Sequence, residues 1–125
     1  MSTTAARFPR RAPIEAYGNG GFRFAGMSHR GSLICLPSGI YEWAPTTPKD
    51  VTREALAPAL REAAELKILL LGTGAGQVFP APELRQAFAE AGVALEAMST
   101  GAACRTYNVL LAEQRAVGAA LLAVD

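Results

Sequence analysis

The chain has 125 residues, half of them apolar and 18% charged, with a net charge of +1. That length suits one domain with a modest core, and the composition excludes a disordered chain. A charge this close to zero leaves no global field to gather nucleic acid or anionic lipid, and no apolar run approaches the roughly 20 residues of a membrane-spanning helix. Two cysteines, Cys35 and Cys104, are too few for a disulfide framework and read as small buried thiols of a reducing compartment.

In chain order, the first stretch is MSTTAARFPRRAP, which holds Arg7, Arg10 and Arg11 with no acid before Glu15. An arginine-rich, acid-poor leader resembles a mitochondrial targeting segment. Pro9 and Pro13 flank the arginine pair, however, and spoil an amphipathic helix. Residues 1–13 are therefore expected as a mobile tail, with 14–125 as a single α/β domain. From Ile14 the chain reads as strands. Phe22 and Phe24 fall on one side of an extended segment, after a turn marked by Gly18, Gly20 and Gly21. MSHRGS reads as a second turn, placing His29, the only histidine, in it. SLICL is apolar almost throughout and is expected to pack on both faces. Pro37 and Gly39 suit a tight turn, and GIYEWA returns with alternation. Residues 14–44 thus read as a small β-meander.

The period then changes. Val51, Ala55, Leu56, Leu60 and Ala63 recur at helical spacing, with Asp50 or Thr52 to cap the start. Pro58 costs about 3 kcal/mol inside a helix, so a kink or break is expected there. KILLL is a short all-apolar run, as a central parallel strand requires, with Val93–Ala97 expected parallel to it. PELRQAFAEAG is a helix with Pro82 in its first turn and Gly92 beyond its end. VALEAM is a strand, the segment from Ser99 a helix, and VGAALLAV a final strand. Strand–helix–strand units imply parallel pairing through right-handed crossovers.

This order sets two loops at the same end of the sheet, where ligands of open α/β sheets tend to sit. One carries Gly72, Thr73 and Gly74, the other Ser99 and Thr100 at a helix start whose N–H groups suit an anion. These five residues are the candidate ligand- or anion-binding set. A dinucleotide fingerprint is approached, with Glu96 near the position of a ribose-binding acid. The spacing is nevertheless G-x-G-x-G, with Gln77 where a third glycine is needed, and VFPA separates the glycines from the next helix. No lysine follows, which excludes a P-loop. A glycine-rich turn built for packing is the simpler reading.

On the helix from Thr100, Ala103, Tyr107, Leu110 and Leu111 share the core face. Thr100, Cys104 and Asn108 run along its edge, and Arg105 points nearly opposite Tyr107. Cys104, Arg105, Thr106, Tyr107 and Asn108 are the candidate signature or interaction set. Their polar groups do not converge, as a catalytic site demands. Cys104 has no assignable base, and two cysteines and one histidine make no zinc site. The residues therefore call for no catalytic set, no metal and no cofactor.

GGFRFAGMSHRGSLICLPSGIYEW, ILLLGTG and EAMSTGAACRTYNVLLAEQRAVGAALL together resemble the small α/β family that includes the mitochondrial complex I (NADH:ubiquinone oxidoreductase) assembly factor three, over about Ile14 to Val124. The resemblance implies a single three-layer α/β domain with a mixed, partly parallel central sheet and an extra N-terminal β-meander or hairpin. It implies no established catalytic residues. It also implies protein partners, possible subunits of a membrane respiratory complex, rather than nucleic acid. The short leader fits a bacterial cytoplasmic relative better than an imported protein of the mitochondrial matrix. A small-ligand- or anion-binding domain using the Gly72–Gly74 loop and the Thr100 helix N-terminus, with an enzyme activity of its own left open, is the competing expectation.

Overall fold

The structure, a computed structural model, describes residues 5–125. Among the described residues, eight strands and three α-helices form three layers around a five-stranded mixed sheet. The strands are β1 (Ile14–Gly18), β2 (Gly21–Phe24), β3 (Met27–Arg30), β4 (Ser32–Leu36), β5 (Gly39–Trp43), β6 (Ile68–Gly72), β7 (Ala94–Met98) and β8 (Val117–Leu121). The helices are α1 (Arg53–Arg61), α2 (Pro82–Glu90) and α3 (Thr100–Ala112). The central order is β5-β4-β8-β6-β7, with β6 parallel to both β7 and β8 and β4 antiparallel to β8. As expected, β6 is central and buried, and β7 runs parallel to it.

Period-2 alternation feeds two cores from the same strands. Ile34, Leu36, Leu69, Leu71 and Leu95 pack with Leu56, Leu84 and Phe88 of α1 and α2. Leu33, Cys35, Leu70, Ala119 and Leu121 pack with Ala103, Cys104 and Tyr107 of α3 and with Phe22 and Phe24 of the small sheet. Each buried aliphatic side chain is worth roughly 1.5–3 kcal/mol, so strands buried on both faces anchor the domain. The crossover from β6 to β7 carries α2 on one face. The return from β7 to β8, on the other side of β6, carries α3 on the opposite face. Right-handed crossovers require that reversal.

Four local expectations change. The 14–44 segment is not one meander: β1, β2 and β3 form a separate three-stranded antiparallel sheet, and β4 and β5 join the central one. MSHRGS is mostly strand β3. The turn before it is Ala25–Gly26, and that between β1 and β2 is Asn19–Gly20. Both pairs have positive φ at their two central residues, the arrangement of the hairpin turns that match strand twist. His29 is accordingly a buried strand residue, its Nε2 3.0 Å from the Ser32 carbonyl oxygen.

Helix α1 passes Pro58 without a break. Thr52 caps it through Ala55 N–H, while Asp50 serves the turn before it by accepting from Thr46 and Thr47 N–H at 3.2 Å. Finally, the expected tail lies on the body from Arg7 onward. Arg7 and Phe8 N–H donate to the Ile40 carbonyl, Phe8 O accepts from Ile40 N–H, and Ala12 is buried. Residues 1–4 of that tail lie outside the described residues.

Candidate functional site

The two loops expected to form a ligand site do meet at the carboxyl end of the sheet, and they meet directly. Thr73 N–H donates to Met98 O at 2.8 Å, extending the β6–β7 pairing by one step, and Leu122 N–H donates to Gly72 O at 2.9 Å on the other flank. Thr100 N–H donates to Gly74 O at 2.8 Å, and Gly74 N–H donates back to Thr100 Oγ1 at 3.0 Å. The Thr100 hydroxyl gives its proton to Leu122 O at 2.7 Å. One fully buried threonine thus joins the β6 loop, the start of α3 and the end of β8.

The Thr73 hydroxyl does similar work within its own loop, donating to Gly76 O at 2.6 Å and accepting from Val78 N–H at 3.0 Å. Ser99 caps α3 by accepting from Ala102 N–H. A Cβ on Gly72 would stand 3.0 Å from the Thr100 Cα, so glycine is what lets the loop and the helix approach. Gly72, Thr73, Gly74, Ser99 and Thr100 are therefore brought together as expected. Of the N–H groups an anion would need at the α3 N-terminus, that of Thr100 is bonded to Gly74 O and that of Ala102 to Ser99 Oγ.

The second set spreads around α3, as its phasing requires. Tyr107 is wholly buried and Cys104 nearly so, Thr106 and Asn108 are half-buried, and Arg105 is exposed. Asn108 works as a surrogate strand: it accepts from Ile14 N–H and donates to Ile14 O, each at 2.8 Å, closing the outer edge of β1. Tyr107 crosses the core to lie against the Cys35 thiol. Burial pushes the Tyr107 hydroxyl and the Cys35 thiol well above their ordinary ranges, and it pushes Cys104 up to about 12, a rise that the neighbouring Arg105 charge only partly offsets. Both cysteines are held as thiols, the opposite of what a nucleophile or metal ligand requires. Among the described residues no three His, Cys, Asp or Glu side chains gather into a metal site.

The sequence reading missed Tyr17. Its hydroxyl accepts from Arg105 Nη1 at 3.3 Å, and a Cβ on Gly101 would collide with it, so Tyr17 seats over the first turn of α3 where only glycine fits. Beside it, a shallow cleft of about 420 Å³ runs over the small sheet past Asn19, Arg23, Ser28 and Arg30. The near-zero net charge conceals a division. The N-terminal segment, small sheet, α3 and the C-terminal residues hold Arg7, Arg10, Arg11, Arg23, Arg30, Arg105 and Arg115 against Glu15, Glu113 and Asp125, while acids outnumber bases in the rest. Glu15 is turned away to accept from Gly26 N–H. The reading also missed Phe79 and Val78, 69% and 44% exposed in the loop after β6. Their signal was VFPA itself, an apolar run inside a glycine-rich loop.

A mixed five-stranded sheet, helices on both faces, an appended antiparallel meander and a self-bonded α3 N-terminus define a class of small three-layer α/β domain. Residues 14–122 match the family described as "Protein of unknown function (DUF498/DUF598)", and the chain belongs to that family. A crystal structure of an outer membrane protein from Bartonella henselae is 55% identical, superposes with a TM-score of 0.92, and matches 95% of this chain and 100% of that one. An uncharacterised protein of Rhodobacter capsulatus is 39% identical over 98% of this chain and 93% of its own length. The NADH dehydrogenase [ubiquinone] 1 alpha subcomplex assembly factor 3 of Mus musculus is 30% identical over 98% of this chain. The chain spans 66% of the length of that mouse protein. No helix among the described residues is long and apolar enough to cross a membrane.

Proposed function

We propose that this chain is a non-enzymatic interaction protein that assists assembly of respiratory complex I, and that it works through the face formed by α3 and the small sheet. The carrying observation is the mouse relative, an assembly factor of NADH dehydrogenase that matches 98% of the chain. The geometry supports a contact role over a ligand-binding one, because the Gly74 and Thr100 groups that would hold an anion already hold each other. On the chosen face, Arg105 and Tyr17 are exposed side by side, and the excess of arginine there suits an acidic partner surface. The compartment that follows is the bacterial cytoplasm, or the mitochondrial matrix for an imported counterpart. Two buried, unpaired thiols fit either reducing space.

The test is affinity capture from the native host with the full chain, scored for complex I subunits, together with cell fractionation. Enrichment of complex I subunits and recovery from the cytoplasmic fraction are expected. A capture empty of those subunits, or a chain found in the outer membrane like the name of its Bartonella relative, contradicts the reading.

A further inference from the structure

The two edges of the central sheet are treated differently. At β5 the chain covers its own edge, with Arg7 and Phe8 bonded to Ile40. At β7 nothing comparable lies alongside among the described residues. Ala94 N–H bonds inward to Lys67 O, whereas Ala97 O bonds outward to the Gln77 side-chain amide. Alternation along a strand then turns the N–H and C=O of Leu95 and the N–H of Ala97 outward, toward an empty flank. Natural proteins blunt such edges with proline, lysine, bulges or cover. Here Gln77 blunts only the last carbonyl.

On the α2 side the edge opens into a cleft of about 330 Å³, lined by Arg85, Gln86, Ala89 and Val93. A smaller hollow follows beneath Phe79 and Pro80, and the most exposed aromatic side chain of the described residues stands over it. On the other side α3 lies over β6 and β8, which leaves Ala94 and Glu96 uncovered.

We propose that this edge accepts an extended segment of a partner protein as a sixth strand of the central sheet, its alternate residues being basic beside Glu96 and apolar against Phe79, Ala89 and Val93. Main-chain bonds to Leu95 and Ala97 supply binding, and the alternating side chains supply specificity. Charge selects this occupant over a second copy of the chain. Antiparallel pairing of β7 with itself about Glu96, which sets Leu95 against Ala97 of the other copy, would place two Glu96 carboxylates directly opposite each other, and like charges directly opposite are destabilising. The proposal rests on the reading of the chain as an interaction protein and adds a second contact surface, remote from Arg105.

The probe is a synthetic nonapeptide alternating valine and lysine, compared with one alternating valine and glutamate. Binding is followed by amide chemical shifts and hydrogen exchange of the full chain. The lysine peptide is expected to shift and protect the Leu95 and Ala97 amides and to bind at least tenfold tighter than the glutamate peptide. Glu96→Lys should reverse that preference, and Phe79→Ala should weaken both by severalfold. Ala97→Pro should abolish binding by removing an outward donor, while circular dichroism reports whether it folds. Shifts confined to another surface, no binding, or equal affinity for the two peptides overturn the proposal, as does a dimer in solution that protects the Leu95 and Ala97 amides of the chain without any peptide.

Capture of complex I subunits separates this inference from the functional reading. If capture survives while the peptides fail at β7, the edge proposal falls alone. If the peptides bind at β7 and no complex I subunit is captured, the functional reading falls alone.

Discussion

The carboxyl end of the sheet and its β7 rim contain similar material, short loops and strand ends with polar backbone, yet they use it in opposite ways. At the carboxyl end the Thr73 and Thr100 hydroxyls and the peptide groups of Gly74 are bonded within the chain. At the rim, Leu95 peptide groups face outward and Phe79 and Glu96 stand exposed. The contrast teaches that an unusual sequence can mark a joint rather than a site. Three elements meet at Thr100, and Cys104, Tyr107 and Asn108 of CRTYN hold α3 to the sheet and to β1.

That comparison breaks most visibly in the core. Tyr107→Ala should leave a cavity between α3 and the sheet and cost about 3–5 kcal/mol, read from denaturant midpoints; a loss below about 1 kcal/mol would mean that the α3 core is not packed as described. Thr100→Val keeps the shape and removes the hydroxyl, stranding Gly74 N–H and Leu122 O. Leu122 O is buried and costs about 1–3 kcal/mol when stranded, and the half-buried Gly74 N–H adds less, so a total of about 2–4 kcal/mol is expected. If Thr100→Val melts like the wild type, the joint is not held by that hydroxyl.

A third outcome concerns pH. Cys104 is raised from 9.0 to about 12 by burial, so between those values the unfolded chain releases a proton that the folded chain keeps. The unfolded state then binds fewer protons, and stability falls as pH rises from about 9 toward 12; below 9 this thiol contributes no slope. Cys35 and Tyr107, raised for the same reason, act in the same direction. Denaturant midpoints at pH 8 and pH 10.5 should show the fall, and iodoacetamide at pH 8 should leave the folded chain unmodified while alkylating the unfolded one. Rapid alkylation of Cys104 under native conditions would place it at the surface.

Much of this fold was legible because its main strands are short apolar runs and its helices carry clear boundaries. KILLL could only be a buried strand, and Pro82 and Gly92 bracket α2 as their backbone preferences dictate. The α3 phasing followed from 100° per residue. What misled was local chemistry with two meanings. MSHRGS is polar enough for a turn, but Ala25–Gly26 takes the turn and His29 finds a carbonyl partner inside the core. Pro58 looked like a breaker and is tolerated within α1, whose Leu56 and Ala59 stay buried. The glycine and threonine loop reads first as a packing turn with a ligand cradle as the competing expectation, because periodicity cannot reveal that the Gly74 N–H is answered by Thr100, 26 residues on. Tyr17 over Gly101 was likewise invisible, being a contact across most of the chain.

The smallest expected effect on stability gives the sharpest test. Arg105→Ala loses one exposed hydrogen bond to Tyr17 and should change stability by no more than about 0.5 kcal/mol. If the α3 joint is framework and its exposed rim is the working surface, capture of complex I subunits by Arg105→Ala should fall severalfold at an unchanged melting temperature. Capture equal to wild type, or a loss of capture that merely follows a loss of stability, would contradict the account.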